Sequence, residues 1–253
     1  MLDRILEATR VRVAELRTRR AAVMEKAEAT ATPPSFEESL SRPGLAVIAE
    51  IKRRSPSRGD LAIDLDAVEQ ARRYFEGGAA ALSVLTEPVF FAGRPEDLVD
   101  ARETTGLPIL RKDFVLESIQ IWEARAMGAS AVLLIAAALT PNELSALLDD
   151  AGRAGIGSLV EVHTVEEAKL SVDLGARIVG VNNRDLGTFD VDLATAERIA
   201  PFLSAAAVTV AESGIHSRVE AARMRNAGYD ALLVGEALIR SSDPAELIKE
   251  LAG

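Results

Sequence analysis

The chain has 253 residues, of which 48% are hydrophobic and 27% charged, and its formal net charge at neutral pH is −10. This acidic balance argues against a general nucleic-acid or anionic-membrane surface, because both of those partners attract an excess of positive charge. The absence of cysteine excludes disulfides, thiolate metal sites and cysteine nucleophiles, and the two histidines have no metal-binding spacing.

No segment has the pattern of a membrane anchor or a leader. The longest apolar run, AVLLIAAAL at Ala131–Leu139, is far shorter than the ~18 residues that a membrane-spanning helix needs. The amino terminus, MLDRILEATR, lacks the apolar region of a signal peptide. We therefore expect a cytoplasmic protein that binds neither membrane nor nucleic acid and holds no metal.

Residues 1–45 precede the first predicted strand. They contain an amphipathic helix, LDRILEATRVRVAELRTRR, then a loop with TPPSF and a short segment, EESLSRPG. We interpret them as an N-terminal helical extension that packs across one end of the following domain or against its side. There it would shape the entrance to a site without supplying a catalytic group.

From residue 46 onward, a short apolar strand and a helical segment alternate eight times. Helical segments end at glycine, which readily adopts the left-handed backbone found after a helix, as in EGGAAALSVLT and NAGYDALLVG. Helix starts carry a small polar cap with glutamate three residues later, as in TPNE at Thr140 and DPAE at Asp243. The predicted strands are Ala46–Lys52, Ala79–Leu85, Pro108–Lys112, Ala131–Ala136, Ser158–Val162, Arg177–Asn182, Val208–Glu212 and Ala231–Val234.

This alternation predicts the fold. Near-continuous apolar strands separated by helices indicate a parallel sheet that is covered on its outer face. Eight such units in a chain of this length favour an α/β fold of the (β/α)8 type, a TIM barrel, over an open doubly wound sheet. The glycine fingerprint typical of such an open sheet, G-x-G-x-x-G, is absent after the first strand. We predict one barrel domain over residues 1–253, of which 1–45 is the N-terminal helical extension.

Polar residues gather at the carboxyl ends of these strands, which meet on one face of a parallel barrel. The first strand, AVIAEIK, ends in Glu50 and Lys52. The later strands end in Lys112, Glu161, Asn182, Glu212 with Ser213, and Gly235. The polar side chains continue the alternation of residues that would fill the interior, as Lys112 does after Leu110. Two lysines and several glutamates, without a metal motif or a catalytic histidine, indicate proton transfer on a polarised carbonyl.

The last two loops carry small residues where barrels often bind phosphate through backbone N–H groups and a helix amino terminus. In VAESGIHS, Ser213 and Gly214 form the first candidate group, and in LLVGEALIR, Gly235 and the amide of Glu236 form the second. The Glu236 carboxylate must then point away from the phosphate, because like charges repel.

Seven motifs together resemble those of indole-3-glycerol phosphate synthase, a family of tryptophan-biosynthesis enzymes. They are AVIAEIKRRSPSRGD, LPILRKDF, AVLLIAAAL, LVEVHTVEE, GVNNRDLGTF, VAESGI and LLVGEAL, and they extend over essentially the whole chain. The resemblance implies a cofactor-free carbon–carbon lyase that closes the ring of 1-(2-carboxyphenylamino)-1-deoxyribulose 5-phosphate with loss of carbon dioxide and water. Arg54 stands where many members carry a smaller residue, and we expect it to point outward from its loop.

The resemblance also implies roles for individual residues. Lys112 becomes the general acid that protonates the substrate ketone, and Glu161 becomes the acid–base partner for the dehydration. Glu50 is carried over as catalytic, and Lys52 contacts the substrate or its phosphate and shares in proton transfer. The remaining contacts to substrate hydroxyls, carboxylate or phosphate fall on Asn182, Ser213, Ser55, Arg184 and Glu212. The family's hydrophobic slot for the anthranilate ring falls on Phe91, Phe114, Leu133 and Leu186, for which plain core is an equally open alternative.

Two other functions stay open at this point. A related phosphosugar barrel, such as phosphoribosylanthranilate isomerase, shares the fold but relies on a cysteine–aspartate pair, and this chain has no cysteine. A non-catalytic barrel that binds a phosphorylated metabolite would keep the fold without turnover. In each case we expect a small anionic phosphorylated ligand, no nucleic-acid partner, and a monomer or weak homo-oligomer. We expect His163 to be a surface histidine near the cap of the following helix.

Overall fold

The computed structural model describes all residues from Met1 to Gly253. Its strands are β1 (Ala46–Ile51), β2 (Arg54–Ser55), β3 (Gly59–Asp60), β4 (Ala81–Leu85), β5 (Ile109–Lys112), β6 (Ala131–Ile135), β7 (Gly157–Val162), β8 (Ile178–Asn182), β9 (Val208–Glu212) and β10 (Ala231–Val234). Its α-helices are α1 (Leu2–Thr18), α2 (Arg20–Ala29), α3 (Phe36–Leu40), α4 (Ala67–Glu76), α5 (Pro95–Thr105), α6 (Ser118–Ala126), α7 (Pro141–Ala154), α8 (Val165–Asp173), α9 (Ala194–Ile199), α10 (Arg218–Asn226), α11 (Glu236–Arg240) and α12 (Pro244–Ala252). No helix is both long enough and apolar enough to cross a membrane.

Eight parallel strands close into a barrel in chain order, with β10 pairing onto β1. The predicted (β/α)8 fold is therefore confirmed, and each predicted strand begins and ends within two residues of the observed one. The helix starts agree as well, because Thr140 caps α7 and Asp243 caps α12 through side-chain acceptors. The short pair β2 and β3, in the loop after β1, was not predicted.

Alternation along the strands divides the apolar residues into two layers. One cluster of 16 buried hydrophobic residues fills the barrel interior, with Ile48, Leu110 and Leu159 among its members. A second cluster of 44 lies between the outer faces of the strands and the helices, and Val47 and Leu82 belong to it. Because side chains two apart share a face, Glu50 and Lys112 continue the interior rows of Ile48 and Leu110 toward the carboxyl ends.

The N-terminal extension contacts both ends of the barrel. Phe36 and Leu40 of α3 belong to the interior cluster and close the barrel at the amino ends of its strands, while α2 packs along α6. At the opposite end, Arg12 of α1 donates two hydrogen bonds, of 2.7 and 3.0 Å, to the buried carboxylate of Asp113. This ion pair holds α1 directly beside Lys112.

The loop between β1 and α4 is anchored by Arg53, whose buried guanidinium pairs with Asp97 and donates to the carbonyl oxygen of Leu65. Arg54, by contrast, points outward as expected and pairs with Asp60, 2.5 Å away across the β2–β3 pair. The loop can therefore carry an exposed basic residue while its base stays fixed to the barrel.

Candidate active site

A cavity of about 180 Å³ opens at the carboxyl ends of the strands. The structure brings every site residue predicted from the sequence to the lining of this cavity. The polar and glycine members are Glu50, Lys52, Ser55, Lys112, Glu161, Asn182, Arg184, Glu212, Ser213, Gly214, Gly235 and Glu236. The apolar members are Phe91, Phe114, Leu133 and Leu186.

The Lys112 ammonium lies at the centre of three buried carboxylates. Its Nζ is 2.9 Å from Glu212 Oε2, 3.4 Å from Glu50 Oε2 and 3.9 Å from Glu161 Oε2. The lysine side chain is only 15% exposed, and each carboxylate is 4% exposed or less. One proton donor is thus within reach of three acceptors in a place that water barely enters.

Burial and charge oppose each other in this cluster. Burial disfavours the charged lysine, but Glu212, Glu50 and Glu161 outweigh it and raise the pKa of Lys112. For Glu50, burial acts to raise the pKa, but Lys52 and Lys112 reverse the effect and lower it. For Glu212, burial prevails over the attraction of Lys112 and raises the pKa to about 7. The site therefore contains one carboxyl group with a lowered pKa, Glu50, and one with a raised pKa, Glu212.

Two glycines leave room for the carboxylates. A Cβ on Gly180 of β8 would collide with the Glu212 carboxylate, and a Cβ on Gly235 would collide with that of Glu50. Neither glycine has the left-handed backbone that favours glycine in turns. Their role here is to leave space, which explains why small residues occur inside a barrel that is otherwise filled by large aliphatic side chains.

Lys52 supplies a second cation next to the cluster. Its Nζ donates a 2.5 Å hydrogen bond to Glu50 Oε1, and its side chain is 16% exposed. Lys52 is therefore more accessible from the cavity than Glu50, with which it forms a charge pair.

The loops after β9 and β10 form another part of the cavity lining. Ser213 and Gly214 both have left-handed backbone, with φ of 64° and 80°. A Cβ on Gly214 would lie 2.6 Å from Val191, too close for a van der Waals contact. Gly235 is the N-cap of α11, whose first N–H groups have no partner within the helix. Arg184 Nη2 lies 4.0 Å from Glu236 Oε2 and adds positive charge between these loops.

The Glu236 carboxylate is held by arginines at the edge of the cavity. Besides Arg184, it pairs with Arg58 at 3.4 Å and with Arg240 at 3.2 Å. Arg58 comes from the loop after β1 and is a basic residue that the sequence reasoning did not select. Arg58 and Glu236 are far apart in the sequence, so no local pattern predicts this contact.

An apolar wall faces the charged cluster. The rings of Phe91 and Phe114 lie 6.1 Å apart at an interplanar angle of 39°. Phe91 is held in place by Glu87, whose fully buried carboxylate accepts hydrogen bonds from the amides of residues 89–91. Leu2 and Ile5 of α1 also line the cavity, so the extension forms part of its wall.

The comparisons with known proteins agree with this geometry. A family model described as indole-3-glycerol phosphate synthase matches residues 2–251. The chain belongs to the indole-3-glycerol phosphate synthase family. The resemblance inferred from the seven motifs is confirmed.

Individual relatives support the same assignment. The indole-3-glycerol phosphate synthase of Koribacter versatilis is 46% identical over 256 residues, which cover 100% of this chain and 98% of the relative. Indole-3-glycerol phosphate synthase 2 of Streptomyces coelicolor is 48% identical over 227 residues, or 89% of this chain and 88% of the relative. A solved structure, thiamine phosphate pyrophosphorylase from Pyrococcus furiosus, has a TM-score of 0.61 at 19% identity, covers 86% of this chain and 96% of its own, and shares the fold alone.

Asn183 is a positioning residue that the sequence reasoning missed. Its buried amide donates to the carbonyl oxygens of Glu212 and Ser213, at 3.0 and 3.2 Å, and its side-chain oxygen accepts from Ala196 N–H at 3.0 Å. It thereby ties the end of β8 to the end of β9. The consecutive asparagines in GVNNRDLGTF were the available signal, but only Asn182 was selected.

The expectation that His163 is a surface histidine is wrong. Its side chain is only 12% exposed, and its Nε2 lies 3.5 Å from Glu161 Oε1. Strand β7 ends at Val162, yet the His163 side chain still points inward. The Glu167 carboxylate of α8 accepts the His163 backbone N–H at 2.7 Å and so fixes the turn between β7 and α8.

Proposed function

We propose that the barrel mouth closes the indole ring through Lys112, Glu161 and Glu50. The overall activity is that of the family, a carbon–carbon lyase reaction of tryptophan biosynthesis that forms indole-3-glycerol phosphate. The observation that supports the residue roles is the position of the Lys112 ammonium among three buried carboxylates. A proton donor surrounded by acceptors suits a reaction with several proton transfers.

The first step forms the carbon–carbon bond. The aromatic carbon that bears the carboxylate attacks the ketone carbon of 1-(2-carboxyphenylamino)-1-deoxyribulose 5-phosphate, and the ketone oxygen takes a proton from Lys112. Glu212, 2.9 Å from Nζ and with a pKa near neutrality, can return a proton to the lysine. Carbon dioxide then leaves, and the electron pair of the broken bond restores the aromatic ring.

The second stage is a dehydration. The hydroxyl formed from the ketone leaves as water when an acid protonates it, and a base removes one proton from the adjacent carbon. Lys112 and Glu161, 3.9 Å apart, are the proposed pair. Glu50 holds both lysines in place and helps to keep Lys112 charged, since it contacts Lys52 and Lys112 simultaneously.

The rest of the cavity binds the substrate. The Ser213–Gly214 loop, the first turn of α11 and Arg184 are proposed to hold the phosphate. The apolar wall is proposed to hold the anthranilate ring, with Asn182 and Ser55 at the hydroxyls and carboxylate. Local basic groups make an anionic substrate compatible with a chain of net charge −10.

The decisive assay combines the protein with the carboxyphenylamino deoxyribulose phosphate and follows indole fluorescence. We expect turnover without added metal or nucleotide, and a loss of about 10²–10⁴ in kcat for Glu161→Gln. Near-normal kcat in that variant would remove Glu161 from the mechanism. Inorganic phosphate soaked into crystals should bind between Gly214 and Gly235, and density elsewhere would refute the phosphate site.

We also propose that the extension and the barrel fold as one unit, and that the protein acts in the cytoplasm as a monomer or weak homo-oligomer without a nucleic-acid partner. The net charge of −10 supports the last point. Sedimentation should give a mass close to 27.0 kDa at low concentration. A tight assembly at that concentration would contradict the proposal.

A further inference from the structure

His163 is a buried titratable group for which the proposed mechanism has no use. It lies behind Glu161 and is not among the residues that line the cavity. Both ring nitrogens are buried and have no hydrogen-bond partner, which is costly for an imidazole unless its contacts serve a purpose. Nε2 lies 3.5 Å from Glu161 Oε1, and Nδ1 lies 3.8 Å from Glu167 Oε2.

The three side chains form a path from the cavity to the surface. Exposure rises along it, from 4% for Glu161 to 12% for His163 and 23% for Glu167. Glu167 is fixed at its outer end, because it accepts the His163 N–H at 2.7 Å and its own N–H donates to Thr164 at 3.1 Å. Both gaps to the imidazole close with a movement of less than about 1 Å, within ordinary side-chain motion.

The charged groups around the imidazole are acidic on every element that faces it. They are Glu161 on β7, Glu167 on α8, Glu212 on β9 and Asp185 in the loop after β8. The Lys112 ammonium lies beyond Glu161. Burial disfavours the imidazolium, but Glu167, Glu161 and Glu212 prevail and raise the pKa of His163 above 6.5.

The stoichiometry of the reaction creates a need for such a path. When the substrate carboxylate is ionised, forming one carbon dioxide and one water takes up one proton per turnover. Enzyme groups give one proton to the ketone oxygen and one to the leaving hydroxyl, and they recover only one from carbon. One proton must therefore enter the cavity from solvent in each cycle.

We propose that His163 is a positioning residue that relays this proton from Glu167 to Glu161. The relay rests on the proposed function, because it takes Glu161 as an acid–base group. The Nε2–H bond of the imidazolium breaks as an O–H bond forms on Glu161. A flip of the neutral ring then presents its bare nitrogen to Glu167, which passes on a proton taken from water and restores the imidazolium.

The test uses the full chain and three variants, Glu161→Gln, His163→Gln and Glu167→Gln. For His163→Gln we expect kcat to fall about 10-fold, less than for a direct acid–base group, with KM unchanged because His163 does not line the cavity. In the wild type, kcat should fall as pH rises through the pKa of His163, since the imidazolium is the donor. This limb should disappear in His163→Gln and move to lower pH in Glu167→Gln.

A second measurement does not depend on activity. The chain has only two histidines, so the NMR signal of ¹³C-labelled histidine that vanishes in His163→Gln belongs to His163. We expect its titration midpoint above 6.5 in the wild type and lower in Glu161→Gln and Glu167→Gln. The relay is refuted if folded His163→Gln keeps both the wild-type kcat and the wild-type pH profile, or if neither glutamine variant moves the midpoint. If Glu161→Gln retains turnover, the failure lies in the proposed function instead.

Discussion

Replacing Lys112 tests the centre of the site in two independent ways. Lys112→Met removes the ammonium and keeps an unbranched side chain of similar length, whereas Lys112→Arg keeps the positive charge. Arginine does not release a proton near neutral pH, because its pKa lies far above that range. The pair of variants therefore separates proton donation from charge neutralisation.

The expected cost of Lys112→Met follows from the distances around Nζ. At 2.9, 3.4 and 3.9 Å, each carboxylate attracts the ammonium by roughly 4–6 kcal/mol at an effective dielectric of 20. Desolvation of the buried groups offsets much of this attraction. The net loss from removing one partner of a buried ion pair is about 3–5 kcal/mol in the free energy of unfolding.

The loss should depend on pH. Without Lys112, Glu212 loses the ammonium that lowers its pKa, so burial raises that pKa further above its value in the unfolded chain. Groups shifted in this direction favour folding below their unfolded pKa, and that stability is lost as pH rises through the folded pKa. We expect the stability loss of Lys112→Met relative to the wild type to grow by about 1.4 kcal/mol per pH unit as pH rises above the wild-type pKa of Glu212, about 7.

Urea unfolding at pH 5 and pH 8, followed by the fluorescence of the single tryptophan, Trp122, measures the stability. Lys112→Arg should stay within about 1 kcal/mol of the wild type at both values, yet both variants should lose about 10²–10⁴ in kcat. Near-normal kcat in Lys112→Arg would refute the general-acid role. A stability loss in Lys112→Met that is the same at both pH values would refute the coupling to the carboxylates.

Four further changes test neighbouring features. Gly180→Ala should displace the Glu212 carboxylate and lower kcat at least ~10-fold with little loss of stability, because the collision is with the end of a flexible side chain. Glu212→Gln should gain stability relative to the wild type in urea unfolding as pH rises from 5 to 8, by up to about 3 kcal/mol, because burial raises the pKa of Glu212 to about 7. Arg184→Ala should raise KM about 10-fold with little change in kcat, as expected for uniform binding of the phosphate. Arg12→Ala should cost about 1–3 kcal/mol in one cooperative unfolding transition, because the buried Asp113 carboxylate loses two charge-assisted hydrogen bonds and keeps only Arg111, Thr86 and a backbone amide.

Matched controls exist for three of these changes. Gly152 has open space where a Cβ would be placed, so Gly152→Ala should leave kcat intact. Arg72 and Arg10 form exposed pairs with glutamates of their own helices, and their alanine variants should stay within about 0.5 kcal/mol of the wild type. A second unfolding transition in Arg12→Ala would show that the extension and the barrel unfold separately. An unchanged KM in Arg184→Ala would remove Arg184 from the phosphate site.

Much of the site could be predicted because strand alternation fixes the face on which a residue lies. Lys112 follows Leu110 on the same face, so its inward direction was predictable from four residues of sequence. Asn183 lies outside this rule, since it acts through a loop corner rather than a strand face. The prediction for His163 was wrong for the same reason. His163 follows the last strand residue, Val162, so strand alternation does not predict whether its side chain is buried.

The sequence by itself determined the eight strands, the closed barrel, the inward phase of the polar residues and the family. These depend on apolar periodicity, caps and motifs, which act over a few residues at a time. Only the tertiary structure decided that Glu212 rather than Glu161 lies closest to Lys112, that Gly180 and Gly235 leave space for carboxylates, and that α3 closes the far end of the barrel. These contacts bring together residues that are far apart in the sequence, such as Lys112 and Glu212, which are 100 positions apart and share a hydrogen bond. Their distances depend on how the whole barrel packs, which no local pattern encodes.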